Sequence, residues 1–244
     1  MHFVLYTVFG CLSTCYCFIA TAVHSEENRC DLLKQQLQSS RVSVQITKTG
    51  FHRELLTTVE LRPDVPSGLG VLLIHRWPRG VYVDPFQLAT LSQQSHWQMS
   101  LDSAVDLEAA AHQAEGFVTR VYPAVDGPTI RVTIPFHFRY HQPRYDGETF
   151  TTVEIEPPQL LLRTEGCLQL SGSEPHATVD APCTHSNAST CPWVRLQQQE
   201  RGPVGVGLPV GDGSLVAPVS AGTLLVTTLC CVSLSTRMWK HRIV

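Results

Sequence analysis

The chain has 244 residues and a formal net charge of −3 at pH 7, and its basic residues form no stripe. This charge balance argues against a nucleic-acid partner, which would need a basic surface. Without the apolar stretches at its two ends, the chain keeps roughly 190 residues, which corresponds to one domain.

The first 22 residues have the pattern of a secretory signal peptide. Residues 3–9 and 11–19 are almost continuously apolar, and Ala20-Thr21-Ala22 offers a small-x-small cleavage site before the sequence turns polar. An uncleaved signal anchor is the alternative, but the cleavage site favours removal of residues 1–22. The chain is therefore expected to enter the secretory pathway.

The centre of the chain has the pattern of short strands separated by turn residues. Val42, Val44 and Ile46 alternate with polar residues, as in a half-buried strand. Further segments with strand character follow at 55–61, 71–74, 117–122, 130–141, 150–155 and 160–163. Pro, Gly and Asp clusters separate them at the spacing of a sandwich or barrel. We therefore predict a mainly β domain, antiparallel and sandwich-like, over residues 23–196.

Three segments leave the type of element open. Residues 27–38 place apolar side chains at helical spacing, which fits a short helix or an N-terminal arm. Asp84-Pro85 indicates a turn or the start of a helix. Residues 105–114 begin with strand-like alternation and continue with an alanine-rich, helix-like run.

The cysteines between the two apolar ends would be paired in an oxidising compartment. There are two candidate disulfides with three ways to pair them, among Cys30, Cys167, Cys183 and Cys191. The short spacing of Cys183 and Cys191 favours a bond between these two. The loop that they enclose contains Asn187-Ala188-Ser189, an N-glycosylation acceptor at Asn187.

The C-terminal part of the chain is predicted to anchor the domain in a membrane. Residues 197–213 are rich in Gly, Pro and Gln, which predicts a tether. Residues 215–235 carry no charge, and about 20 apolar residues are what a helix needs to span a bilayer. We therefore predict a transmembrane helix over 214–236 and a tail over 237–244.

The charges after this helix predict its orientation. Arg237, Lys240 and Arg242 follow the apolar segment, which predicts a cytoplasmic tail and a lumenal or extracellular domain. A GPI-attachment signal would end in apolar sequence, so the basic end favours a retained helix. The predicted signal peptide gives the same orientation, that of a type I single-pass membrane protein.

The segment IPFHFRYHQP, residues 134–143, concentrates side chains that could do chemistry. On a strand, His137, Arg139 and His141 would share one face, and Phe136, Phe138 and Tyr140 the other. The two histidines would be about 13 Å apart, too far to share one zinc ion. A helix could bring them together, but flanking prolines and β-branched residues favour a strand. We expect no metal site, and either a solvated face or a recognition face.

Motifs of the common enzyme classes are missing from the sequence. There is no HExxH helix, no GxSxG elbow and no phosphate-binding glycine loop. Asp84 and Asp106 are isolated carboxylates of the kind that builds turns. The isolated tryptophans could stack on sugars, but packing in a core or interface is the default: Trp77, Trp97 and Trp193. The sequence therefore indicates none of these enzyme classes, and no cofactor is expected.

Several short blocks, in this order, resemble the PIG-X family over nearly the whole mature chain. They are GFHREL at 50–55, VDPFQL at 83–88, PFHFRYHQP at 135–143, LLLR at 160–163, APC to CPW at 181–193 and PVG at 209–211. The resemblance implies a non-catalytic subunit of GPI mannosyltransferase I in the endoplasmic reticulum membrane. Such a subunit stabilises the multi-pass catalytic subunit, PIG-M, which transfers the first mannose from dolichol-phosphate-mannose to the GPI precursor on the lumenal side.

Under this interpretation the domain and the transmembrane helix contact the catalytic subunit. The candidate contact residues are His137, Arg139, Tyr140 and His141. A cell-surface adhesion or receptor ectodomain of type I topology is the alternative, because it shares the signal, β domain, glycan and single span. A lumenal glycosidase or transferase acting alone would need converging carboxylates, which spacing in the sequence does not exclude.

Overall fold

A computed structural model describes residues 30–62, 65, 68–164, 167, 178–187, 189–196 and 202–241. The predicted signal peptide, residues 197–201 of the predicted tether, and Arg242 lie outside the described residues. The structure confirms the predicted fold class, which is mainly antiparallel β followed by a C-terminal apolar helix.

Twelve strands build the described part of the β domain. They are β1 (Arg41–Thr47), β2 (His52–Glu60), β3 (Leu69–Trp77), β4 (Val81–Tyr82), β5 (Trp97–Leu101), β6 (Phe117–Pro123), β7 (Thr129–Phe138), β8 (Phe150–Ile155), β9 (Gln159–Thr164), β10 (Thr178–Pro182), β11 (Thr190–Arg195) and β12 (Val204–Pro209). They form a four-stranded sheet in the order β1-β2-β7-β4, a six-stranded sheet in the order β10-β11-β9-β3-β6-β5, and the pair β8-β12. All of these strand pairs are antiparallel.

One apolar core is shared by the three sheets, because each strand directs alternate side chains towards it. In β2 the buried positions are Leu55, Thr57 and Val59. The central strand β3 is buried on both faces: Val71 and Leu73 enter the main core, and the alternate residues enter a second cluster with Trp193 and Ala181. The uncharged run at 71–74 reflects this position, since a strand covered on both sides has no polar face.

Two helices pack beside the sheets. The first, α1, covers residues 30–39 and buries Leu33 and Leu37, so the segment that could have been an arm is a helix. The second, α2 (Pro85–Gln94), begins at Asp84, whose carboxylate accepts a 2.9 Å hydrogen bond from the Phe86 N–H. Pro85 fits the first helical position because its missing N–H would have no partner there.

Residues 105–114 form turns, neither the strand nor the helix that the sequence left open. The Asp106 carboxylate accepts hydrogen bonds from the backbone N–H groups of Glu108 and Ala109, at 2.9 and 3.2 Å. The carboxylate therefore shapes a turn, as isolated aspartates commonly do.

The tether prediction is wrong for residues 204–209, which form β12 and pair with β8. Val206 and Leu208 enter the core, while Gly205 and Gly207 alternate with them. The Gly-rich composition suggested a flexible chain, but the apolar residues between the glycines follow the period of a strand. The folded domain therefore continues past residue 196 almost to the apolar helix.

Two disulfides tie the described residues together. Cys183 and Cys191, the pair favoured by spacing, are bonded at the β10–β11 hairpin. Cys30 and Cys167 are bonded across a sequence separation of 137 residues, so they attach α1 to the chain that follows β9.

The apolar C-terminal helix is α3 (Val216–Lys240), and a short 3-10 turn at Gly213–Leu215 precedes it. It is long and apolar enough to cross a membrane, and none of its residues is buried against the domain. Its Thr223, Thr227 and Thr228 hydroxyls donate to carbonyls one turn earlier, which satisfies these polar groups within the helix. The helix includes Arg237 and Lys240, which the sequence assigned to the tail.

Candidate functional site

The candidate contact segment begins in β7 and leaves the sheet earlier than predicted. β7 ends at Phe138, where the Phe138 N–H donates to the Phe51 carbonyl, and the Arg139 N–H donates to the Gly80 carbonyl at 2.9 Å. Beyond this point the strand alternation is lost. The four candidate residues therefore do not divide into the two faces that the sequence predicted.

Arg139 and Tyr140 take places opposite to those expected. Arg139 was placed on a polar face but is only 3% exposed, and Tyr140 was placed with the buried phenylalanines but is 77% exposed. The cause is the departure of the chain from the sheet, which turns residue 139 inward and residue 140 outward. The buried Arg139 and exposed Tyr140 therefore do not continue the alternation predicted for the strand.

Several neighbouring groups hold Arg139 in its buried position. Its guanidinium donates a 2.7 Å hydrogen bond to the Ala109 carbonyl and lies 5.0 Å from the centre of the Tyr82 ring. Such a cation over an aromatic face is electrostatically favourable. Burial lowers the pKa of this guanidinium, and the carboxylate of Asp106 acts in the opposite direction. Arg139 thus fastens the end of β7 to the turns at 105–114.

The side chain of Tyr140 is exposed, while its backbone is held in place by neighbouring residues. Its carbonyl accepts a hydrogen bond of 3.0 Å from the Ala111 N–H, and its ring lies 5.1 Å from the ring of Phe51. Phe51 stands at the tight turn between β1 and β2, where Gly50 adopts a φ of +80° that favours glycine. The result is an aromatic pair in which the exposed Tyr140 ring packs on the half-buried Phe51.

His137 lies in a row of rings that crosses three strands. It stands opposite His52 on β2 and Tyr82 on β4. Its Nε2 is 3.2 Å from Nδ1 of His52, and its ring stacks on Tyr82 with centres 4.9 Å apart. Burial lowers the pKa of His137, and the nearby His52 lowers it further. The neutral form of His137 is therefore favoured.

His141 follows the exposed tyrosine and is half-buried. Its Nε2 lies close to Gly80, where a Cβ would be 3.3 Å away, and it has no hydrogen-bond partner among the described residues. Burial and the nearby Arg79 lower the pKa of His141. The four candidate residues therefore differ in exposure: Tyr140 is exposed, His137 and His141 are half-buried, and Arg139 is buried.

The sequence analysis missed Phe51, His52 and Tyr82 as members of this site. They come from the β1–β2 turn, β2 and β4, and only strand register brings them beside the segment. No pattern within their own strands marks them, since a shift of one residue in register would move every side chain to the other face.

The other sequence candidates have clear positions. Trp77, Trp97 and Trp193 are buried, so they pack in the interior and form no platform for sugars. Asn187 is exposed, and its side-chain oxygen accepts a 2.9 Å hydrogen bond from the Ser189 N–H. In the part of the chain that the structure describes, no three His, Cys, Asp or Glu side chains converge to hold a metal ion.

The segment after His141 connects the aromatic pair to the base of α3. Arg144 donates its N–H to the Gly211 carbonyl at 2.9 Å and accepts a 2.7 Å hydrogen bond from the Gly213 N–H. Four residues of extended chain span at most about 14 Å, so Tyr140 lies within that distance of Arg144. The exposed Tyr140 is therefore close to the place where the chain enters its apolar helix.

Comparison with known proteins assigns the family. The PIG-X / PBN1 family model matches residues 48–239. The chain is 28% identical over 205 residues to a Homo sapiens protein named "GPI alpha-1,4-mannosyltransferase I, stabilizing subunit", covering 81% of this chain and 79% of that protein. It is 27% identical over 202 residues to the Rattus norvegicus and Mus musculus proteins of the same name, covering 80% of this chain and 79% of each relative. On the extent of the family match, the chain belongs to the PIG-X / PBN1 family.

Proposed function

We propose that this chain is the non-catalytic, stabilising subunit of GPI mannosyltransferase I. Its partner in this proposal is PIG-M, the multi-pass catalytic subunit, which attaches the first mannose of the GPI precursor. The chain is a type I protein of the endoplasmic reticulum membrane, with its β domain in the lumen. The names of the three relatives and the apolar C-terminal helix support this assignment.

The observation that carries the proposal is the exposed Tyr140 on its fixed backbone, close to the base of α3. A rigid aromatic side chain loses little conformational entropy on binding, which is why tyrosine is enriched among residues that dominate interface energies. A multi-pass membrane protein would present its lumenal loops near the bilayer surface. Tyr140 and Phe51 lie at a suitable place to meet such loops, and His137 and His141 border them.

The apolar helix provides a second contact surface. None of its 25 residues is buried against the domain, so its whole circumference is open to lipid or to another helix. Ser220, Thr223 and Thr227 follow one side at helical spacing, and small side chains allow close approach between helices in a membrane. The proposal therefore places α3 beside a helix of the catalytic subunit.

The contact role of Tyr140 is tested by Tyr140→Ala in cells that depend on this chain for GPI synthesis. The matched control is Phe86→Ala, since Phe86 on α2 is also an aromatic residue with 79% exposure. Tyr140→Ala should lower the abundance of the catalytic subunit and of surface GPI-anchored proteins, while the level of this chain stays unchanged. Phe86→Ala should change none of the three. Normal catalytic-subunit levels with Tyr140→Ala would reject the assigned contact.

The glycan distinguishes this proposal from a cell-surface receptor. Asn187 is exposed in the loop closed by the Cys183–Cys191 disulfide. A glycan at Asn187 that stays sensitive to a high-mannose-specific endoglycosidase would place the chain in the endoplasmic reticulum. Complex, resistant glycans would support delivery to the cell surface and contradict the proposed location.

A further inference from the structure

The base of α3 is joined to the loop between β7 and β8. The two backbone hydrogen bonds between Arg144 and the chain at Gly211 and Gly213 form a short parallel bridge centred on Asp212. The Asp212 carboxylate accepts hydrogen bonds from the N–H and hydroxyl of Ser214, at 2.9 and 2.7 Å, which starts the turn before α3. The position of this loop relative to a membrane is therefore set by the helix.

Tyr145 lies directly on the base of the helix and still faces outward. A Cβ built on Gly213 would be 2.5 Å from Cζ of the Tyr145 ring, so the ring occupies the space that a side chain would fill. Tyr145 is nevertheless 78% exposed. Its ring is supported from below by glycine and presents its other face and its hydroxyl to the surroundings.

Phe150 and Leu215 are further exposed apolar residues on the chain segments next to the base of α3. Phe150 opens β8 and pairs with Pro209, four residues before Gly213. It is 59% exposed, and Leu215, at the last position before α3, is 54% exposed. Large apolar side chains gathered at one place on a surface usually mark a contact with a membrane or a partner.

The length of α3 places this patch at the depth of the lipid headgroups. Twenty-five helical residues extend about 37 Å at 1.5 Å per residue, whereas the hydrocarbon layer is about 30 Å thick. Both ends of the helix must then reach the interfacial layers. At the far end Trp239 is 88% exposed between Arg237 and Lys240, and aromatic residues favour this layer because they are amphipathic.

We propose that Tyr145, Phe150 and Leu215 form an interfacial anchor, which inserts into the lipid headgroup layer and holds the β domain against the bilayer. Lipid is the occupant because the patch surrounds the base of a membrane helix. The adjacent Arg144 and Asp146 pair with each other, so their opposite charges largely cancel beside the patch. The anchor limits tilting of the domain relative to the bilayer and keeps Tyr140 at a constant distance from the membrane surface. It belongs to the chain alone and does not depend on the proposed catalytic partner.

The test uses the full chain in phosphatidylcholine nanodiscs, without any other protein. Tyr145→Trp and Phe150→Trp introduce fluorescent probes, and lipids brominated near the headgroup end of the acyl chains act as contact quenchers. The matched control is Thr129→Trp, an exposed position at the opposite end of β7, about 30 Å from Phe138 at the usual strand rise. The unsubstituted chain supplies the background of the native tryptophans.

The tryptophans at positions 145 and 150 should each add blue-shifted fluorescence to that of the unsubstituted chain. Most of this added fluorescence should be quenched in the brominated discs. The Thr129→Trp emission should be red-shifted and keep its intensity. Emission from residue 145 or 150 that matches the control would overturn the proposal. Blue-shifted emission that bromine does not quench would indicate burial against protein, and it would overturn the lipid assignment equally. Because no catalytic subunit is present, this result is independent of the partner experiment.

Discussion

The guanidinium of Arg139 donates a 2.7 Å hydrogen bond to the carbonyl of Ala109, and it thereby joins the end of β7 to a turn 30 residues earlier in the chain. The side chain of the next residue, Tyr140, is exposed, and its backbone carbonyl accepts a hydrogen bond from the Ala111 N–H. The two adjacent residues therefore differ in role: Arg139 stabilises the local structure of the site, and Tyr140 is available for contact.

Replacing Arg139 by alanine should destabilise the chain by about 1.5–3 kcal/mol, because a buried hydrogen bond from a charged group is lost. Tyr140→Ala removes an exposed ring and should change the free energy of unfolding by at most about 0.5 kcal/mol. Thermal unfolding of the two full-length variants in detergent measures the difference. Equal free energies of unfolding for the two variants would show that Arg139 does not stabilise the folded chain.

Gly116→Ala should destabilise the domain by about 1–3 kcal/mol through overpacking. A Cβ at Gly116 would lie 2.7 Å from the backbone carbonyl oxygen of Trp77, which cannot move without distorting β3. Trp77 is itself fixed, since its indole N–H donates a 3.0 Å hydrogen bond to the Thr119 hydroxyl.

Gly127→Ala is the matched control for this substitution. No atom lies within 4 Å of a Cβ at Gly127, so the added methyl group meets open space. Its effect should stay within about 0.5 kcal/mol. A comparison of urea unfolding midpoints for the two variants measures the effect of crowding, and a Gly116→Ala midpoint equal to that of the control would disprove the contact.

The fold class could be predicted because strand periodicity is a local property of the sequence. Asp84-Pro85 indicated a turn or a helix start, and the apolar run at 71–74 indicated a strand; both follow from a few adjacent residues. The failure at 204–209 has a different origin. Whether a Gly-rich segment is free or paired depends on a neighbouring strand with an open edge. β8 provides that edge, and its residues lie 49 to 59 positions before their partners in β12.

The candidate site was predictable in its central segment but not in its arrangement. The cluster at 137–141 stands out in the sequence, yet the burial of Arg139 depends on the distant turn at Ala109. The pairing of His52 with His137 likewise depends on the register of β2 against β7. Strand alternation also predicted the wrong face for Tyr140, because the strand ends two residues before it.

Acidification should destabilise the domain through His75. This side chain is 1% exposed on β3, stacks on Trp77 with ring centres 5.8 Å apart, and has no hydrogen-bond partner for either ring nitrogen among the described residues. Burial lowers the pKa of His75 from 6.5 to about 3. Between these two values the unfolded chain binds a proton that the folded chain excludes, so stability decreases as the pH falls below 6.5.

Through His75, the free energy of unfolding should decrease by about 1.4 kcal/mol when the pH falls from about 7.5 to about 5.5. His75→Phe keeps an aromatic ring beside Trp77 and removes the titrating group. Denaturant unfolding of both chains at the two pH values should show a smaller pH effect in the variant. The same loss of stability in both chains would exclude His75 as its source.

The abundance of the catalytic subunit tests the central claim most directly. Cells from which this chain has been removed should be compared with the same cells after the full-length chain has been restored. The half-life of the proposed partner PIG-M and the level of surface GPI-anchored proteins are followed in both. A stabilising subunit predicts that both fall on removal and recover on restoration. An unchanged half-life of PIG-M in cells lacking the chain would contradict the account.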